Sequence, residues 1–363
     1  MADSRKFLMV ASFLVLLILI SGFSCSLKNL GSSTKKDTKK TVEDLRTGTD
    51  GIVANFLPNN PPPIVHAEDN LPNAVDVILE LANKGAYPQP DDNVKSVNGK
   101  IFLSGYDKNI LKFGQDGEKY FEDLSKKSLS GKSLVNINGG SDVVIFNGNV
   151  NLENLKVNKY EPSLLATVCY EYNTVAGPSV CIDPDPYSIV QQKKVCQVNS
   201  ITLTNQGAPI AITNIDEEAF ATKTQFKITI KNVGQGEVIK SNKADSAQSS
   251  GSNGDTINKC DPFGTNKLAR EDIDKVYAEE ISIGQDRLLC YPFIDKPAKA
   301  DQGFIRLLNG EGSIICEFEK TAPNSYPGGN TAYTTPLKII LSYVYKTTAQ
   351  RSFLIQRENI GKN

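Results

Sequence analysis

Leu164–Ile182 reads LLATVCYEYNTVAGPSVCI, and Leu337–Ile355 reads LKIILSYVYKTTAQRSFLI. The two align without a gap. They share the leading Leu, a Tyr-x-Tyr followed by x-Thr-x-Ala, a Ser and the final Ile, and each has a proline within two residues upstream, Pro162 or Pro336. In the first, Leu164, Ala166, Val168, Tyr170 and Tyr172 fall at every second position; in the second, Leu337, Ile339, Leu341, Tyr343 and Tyr345 do. Side chains two apart on a strand share a face. That face is expected to line a core, with the tyrosine rings buried and their hydroxyls reaching partners at its edge. Each segment reads as a long closing hairpin, the first with its turn near Val175.

Further matches lie upstream, in the same order in both halves. INGGSDVVIFNG from Ile137 resembles LNGEGSIICEFE from Leu308, and the strand ending at Asn83-x-Gly85 resembles the strand ending at Asn232-x-Gly234. Conserved order favours duplication over chance similarity. Strand patterns recur at Val75–Leu81, Lys100–Gly105, Asp142–Phe146 and Gln225–Ile230, each bounded by Asn, Gly or Pro. The expected fold is therefore all-β, with two tandem related β-sandwich domains at 51–189 and 196–356. A polar stretch at 241–258, SNKADSAQSSGSNGDTIN, reads as a long loop inside the second.

Arg5 and Lys6 precede an apolar run from Phe7 to about Ser24, which reads as a signal or membrane-anchor helix over 1–25. Cys25 after Ser21-Gly22-Phe23-Ser24 is a candidate lipid-attachment site, although Gly22 stands where Leu is usual. The Ser/Thr/Lys-rich residues 26–50 read as a flexible polar stalk. Cleaved peptide, uncleaved anchor and lipid anchor all place the rest of the chain on the extracytoplasmic face of the cell membrane.

Six further cysteines, Cys169, Cys181, Cys196, Cys260, Cys290 and Cys316, fit an exported disulfide protein. Cys290 and Cys316 flank one loop and hairpin and are expected to pair. The hairpin reading sets Cys169 against Cys181, with Cys196 then bonded to Cys260; the competing set is Cys181 with Cys196 and Cys169 with Cys260. The absence of Cys-x-x-Cys spacing argues against zinc.

With 40 Lys+Arg against 41 Asp+Glu in 363 residues, the chain lacks the basic excess of a nucleic-acid binder. His66, the one histidine, follows Pro61-Pro62-Pro63, where an exposed or strand-edge role outweighs a catalytic one. Gly234-x-Gly236 and Gly310-x-Gly312 are turns, because no helical pattern follows them as a phosphate loop requires. Asp183-Pro184-Asp185-Pro186 and Asp216-Glu217-Glu218 supply too few local oxygens for calcium. No cofactor is expected.

The Asn-x-Gly after an alternating strand and the terminal Tyr-x-Tyr segment resemble immunoglobulin-like modules of archaeal surface proteins, including the CARDB-like domains related to cell adhesion. Cys169-Tyr170-x-Tyr172-x-Thr174 with Val180-Cys181-Ile182-Asp183-Pro184 is similar to exported proteins of small-genome archaea. The resemblance spans about Gly51 to Gln356. It implies immunoglobulin-like sandwiches with an extracellular binding or scaffold role and no catalytic residues. The expected partners are the membrane, through the N-terminal anchor, and a protein or surface polymer. Rival classes are a structural subunit of an envelope or pilus-like assembly, and an extracytoplasmic accessory subunit of a membrane complex.

Overall fold

The computed structural model describes residues 45–363 except 70, 90–91, 93–96, 122–128, 154, 188–193, 243–253, 320–330 and 359–363. The apolar N-terminal run, Cys25, the stalk up to residue 44 and most of the 241–258 stretch lie outside the described residues. Among the described residues no helix is long and apolar enough to cross a membrane. They belong to one compact unit, Thr41–Asn363.

The architecture is all-β, 53% strand against 4% helical. The first half supplies β1 (Ile52–Phe56), β2 (Ile64–Glu68), β3 (Ala74–Asn83), β4 (Gly99–Ser104), β5 (Leu111–Phe113), β6 (Glu118–Tyr120), β7 (Ser141–Val150), β8 (Lys159–Tyr160), β9 (Ser163–Ala176) and β10 (Ser179–Ile182). The second half supplies β11 (Ile201–Thr202), β12 (Ile210–Ala219), β13 (Lys223–Asn232), β14 (Glu237–Ile239), a one-turn helix α1 (Gly254–Asn258), β15 (Lys275–Ile283), β16 (Asp286–Arg287), β17 (Leu289–Tyr291), β18 (Gly303–Arg306), β19 (Glu311–Glu319), β20 (Tyr333–Ser352) and β21 (Leu354–Glu358).

Each half builds an outer sheet of the same plan, β1-β3-β7-β5 in one and β11-β12-β13-β19-β17 in the other. The inner strands of both halves belong to a single sheet, β16-β15-β20-β9-β4-β6, with β10 and β14 also on β20 and β18 on β15. One continuous core runs through both halves, from Ile52 and Leu79 to Phe226 and Leu341. A small fourth sheet joins the ends of the described chain: β21 pairs parallel with β2 and antiparallel with β8.

The seam is the β9–β20 ladder. Ser163 pairs with Ser352, and the register holds without a slip to Ala176 opposite Ile339. β10 then continues on the same partner, from Ser179 opposite Pro336 to Ile182 opposite Tyr333. The expected hairpin turn at Val175 is thus corrected: the segment runs straight, interrupted only at Gly177-Pro178. Tight hairpin turns need residues that tolerate positive φ, such as Asn-Gly, and Thr174-Val175-Ala176 offers none. Pro178 still accepts a hydrogen bond from the Leu337 amide at 2.8 Å, so the ladder bridges the interruption.

The repeat relates Tyr170 to Tyr343 and Tyr172 to Tyr345. The ladder instead sets Tyr170 opposite Tyr345 and Tyr172 opposite Tyr343. The two copies therefore meet about a local twofold at the Glu171–Val344 pair, as two identical subunits would across an isologous interface. The Ile137/Leu308 match also needs a one-residue adjustment. Val144 and Phe146 are buried in β7, and Ile314 and Cys316 in β19. The sequence alignment pairs Val144 with half-buried Ile315, and a one-residue slip exchanges the two faces of a strand.

Candidate functional site

The two sequence signatures of the repeat turn out to be one device. Asn83 ends β3 and its Oδ1 accepts from the Tyr172 hydroxyl at 3.0 Å and from the Gly85 amide at 3.1 Å. Asn232 ends β13 and its Oδ1 accepts from the Tyr345 hydroxyl at 3.0 Å and from the Gly234 amide at 3.2 Å. Asn83 Nδ2 donates to the Tyr87 carbonyl and Asn232 Nδ2 to the Gly236 carbonyl. The Tyr87 and Gly236 amides in turn donate to the Tyr172 and Tyr345 hydroxyls. A Cβ on Gly85 or Gly234 would collide with the hydroxyl of its tyrosine.

The quartet Tyr170, Tyr172, Tyr343 and Tyr345 is fully buried; Tyr170 packs edge-on against Tyr172 of its own strand at 5.7 Å and against Tyr345 across the seam at 6.0 Å between centroids. Burial drives all four phenols to higher pKa, so they stay protonated donors. The Tyr343 hydroxyl meets Thr174 Oγ1 at 2.9 Å. Its counterpart Tyr170 is directed at the Ile52 backbone and closes no hydrogen bond of ordinary geometry.

Three cavities open beside this seam. One of about 330 Å³ is lined by Arg46, Ala176, Pro178, Thr204 and Gln206. A second, about 260 Å³, shares Arg46 and adds Tyr87, Asp92 and Lys338. The third, about 190 Å³, lies between Asp50, Tyr170, Gly234 and Tyr345. The first sits at the lower end of the usual range for ligand sites, and the other two fall below it.

The outer faces of the two copies have diverged. Copy one carries Ile78 directly opposite Ile145, with exposed Val143 next along β7. Copy two carries charge there. Buried Glu317 receives Lys223 Nζ at 2.6 Å and the Tyr291 hydroxyl at 3.0 Å, and also meets Lys299. Burial pushes its carboxyl pKa up, but these partners outweigh it and hold the group down at about 2. Glu217 on β12 is the opposite case: burial pushes it up to about 7 against one hydrogen bond from the Cys181 amide, and its Oε1 is buried without a partner.

The cysteines pair as Cys290–Cys316, Cys181–Cys196 and Cys169–Cys260. Cys290 and Cys316 face each other on adjacent strands. The favoured Cys169–Cys181 and Cys196–Cys260 bridges do not form. Cys169 and Cys181 lie on one straight strand, so no turn brings them together, and the competing set is the one adopted. Cys169–Cys260 spans the copies: it ties β9 to the segment after α1, over a small second core of Phe102, Ile239, Ile257 and Val344.

His66 is exposed on β2, and its Nδ1 contacts Glu358 of β21 at 2.5 Å. Asp183 is engaged by Lys194 at 2.5 Å and Asp216 by Ser200 and Asn214. Among the described residues no group of three or more His, Cys, Asp or Glu side chains is placed to hold a metal ion. Sequence reasoning missed the pairing of Asn83 with Tyr172 and of Asn232 with Tyr345, and the Glu317 and Glu217 environments. The asparagines were visible as turn residues, but nothing in the sequence coupled them to tyrosines about a hundred positions away. Compared with protein-family models and with curated proteins, the sequence gives no significant match.

Proposed function

We propose that the chain is an exported, membrane-tethered surface protein that binds or scaffolds a protein or surface polymer and performs no catalysis. The observation that carries this reading is the set of three disulfides, of which Cys169–Cys260 clamps the body of one copy to that of the other. Such bonds persist in oxidising compartments outside the cytoplasm. The Arg5/Lys6-flanked apolar run and Cys25 supply the tether, and the resemblance to immunoglobulin-like archaeal surface modules supplies the class of role. A rigid double sandwich with differently surfaced faces suits display better than turnover. The apolar strip at Ile78, Val143 and Ile145 is the natural contact for a partner.

The test is protease added to intact cells, followed by thiol alkylation of the surviving chain without reductant. The expected result is loss of everything beyond the stalk, and no alkylatable thiol among the six cysteines when protease is omitted. Recovery of an intact, thiol-reactive chain from the cytosol overturns the reading.

A further inference from the structure

On the outer side of the shared sheet, three side chains of complementary chemistry meet under the segment held by Cys169–Cys260. Lys100 leaves β4 on the face opposite the core residues Ile101 and Leu103, yet its side chain is only 7% exposed. Lysine is rarely buried so far unless paired. Its Nζ lies 4.4 Å from the Tyr120 ring centroid and 5.1 Å from that of Phe102. It contacts the Glu118 carboxylate, the Tyr120 hydroxyl at 3.3 Å and the carboxamide oxygen of Asn258 at 3.5 Å. Tyr120 and Glu118 are positioned by β6, opposite Lys100 and Phe102. Asn258 ends α1, two residues before Cys260, and Lys100 lies opposite Cys169 on β4–β9. The disulfide therefore holds the carboxamide over the amine. An amine, a carboxamide and a carboxylate in one aromatic enclosure are a nucleophile, an acyl donor and a proton carrier.

We propose that Lys100 and Asn258 condense within the folded chain into an isopeptide bond, with Glu118 as the proton carrier. Glu118 takes one proton from the Lys100 ammonium and frees the nitrogen lone pair. Nζ attacks Cγ of Asn258 and a C–N bond forms. A second proton passes from Nζ to Nδ2, the Cγ–Nδ2 bond breaks and ammonia leaves. The proton on Glu118 then converts ammonia to ammonium. One ammonium and one primary amide become one secondary amide and one ammonium, with no oxidant or co-reactant. Nζ lies 3.5 Å from Oδ1 of Asn258, the oxygen on the carbon it attacks, so a rotation of the exposed carboxamide presents Cγ to the amine. Burial opposes the charge on Lys100, and the Glu118 and Tyr120 contacts outweigh it. Proton transfer within that pair leaves two neutral groups, which the low exposure of Lys100 favours on the amine side. Asn258 is itself an exposed residue, so ammonia has an exit. The product would be a second clamp between copy one and the insertion of copy two, one that reductants cannot open.

The experiment is tryptic mapping of the purified full chain after reduction and alkylation. The expected product joins residues 96–108 to residues 244–259, uncut at Lys100 and lighter than the two peptides together by one ammonia. Glu118→Gln, which keeps the strand and the side-chain shape, is expected to abolish the joined peptide, as is Lys100→Arg. Recovery of the wild-type peptides unlinked, with cleavage after Lys100 and full masses, overturns the proposal whether or not either variant folds. A joined peptide that persists undiminished in a folded Glu118→Gln chain overturns it for the assigned proton carrier.

Discussion

At the residue scale, the tyrosine–asparagine device commits both polar ends of each asparagine inside the core. Asn83 uses its Oδ1 for Tyr172 and Gly85, and its Nδ2 for the carbonyls of Tyr87 and Leu129. Asn83→Ala strands several buried groups at once and is expected to cost about 2–4 kcal/mol, against about 1–2 kcal/mol for Tyr172→Phe, which removes the donor to Asn83 and the acceptor of the Tyr87 amide but keeps the packing. Urea midpoints of the two variants measure the difference, and equal effects would refute the shared role of Asn83. The two perturbed glutamates act oppositely on stability. Glu217 has a folded pKa raised to about 7, so the folded state holds the extra proton between the ordinary carboxyl value and 7. Its penalty is fully present above 7 and is relieved as pH falls through that window. Glu317 is held at about 2, so its stabilisation is present above the ordinary carboxyl value and is lost as pH falls toward 2. Melting temperature should rise on acidification from pH 8 to about 5 and fall steeply below 4. Glu217→Gln should flatten the first limb by raising the neutral-pH value, and Glu317→Gln the second.

At the scale of elements, the disulfides close loops of different length. Cys169–Cys260 spans 91 residues, Cys290–Cys316 spans 26 and Cys181–Cys196 spans 15. In the chain-entropy view these are worth about 4.5, 3.5 and 3 kcal/mol. Paired Cys→Ala variants should lose stability in that order, read as denaturant midpoints. The interruption at Gly177-Pro178 shows a further lesson about elements. A turn was expected near Val175, yet the chain runs on past Gly177-Pro178 into β10 because β20 offers a continuous partner on the far side. The alternation of Leu164 through Tyr172 was legible because it needs only local geometry. The direction the chain takes after Ala176 depended on a partner some 160 residues away, and no local signal carried it.

At the scale of the whole molecule, the two halves form a fused pair rather than beads on a chain. The seam contributes fourteen paired positions in β9–β20 alone, and the core passes through it without a break. Neither half retains a complete inner sheet without the other. Unfolding should therefore be one cooperative transition. Calorimetry tests this: a calorimetric enthalpy matching the van't Hoff value is expected, whereas two resolved transitions would show that each copy folds by itself. The same arrangement explains why the outer faces were free to diverge. The seam and the tyrosine device fix the shared core, so Ile78 with Ile145 in one copy and the Glu317 cluster in the other differ on the outer side of each outer sheet without disturbing it.

The sequence by itself determined the strand class, the repeat, the buried face of both Tyr-x-Tyr segments and the Cys290–Cys316 pair. Each follows from side-chain alternation or from residues close along the chain, and alternation is a local consequence of the pleat. The tertiary structure alone decided that the two segments pair with each other instead of folding back, and so that Cys169 reaches Cys260 while Cys181 takes Cys196. It also decided that Lys100, Glu118 and Asn258 meet. Those outcomes rest on which strand edge is left open once both sandwiches close. Edge pairing is made by backbone amides and carbonyls that every residue carries alike, so the side-chain sequence leaves no mark of it.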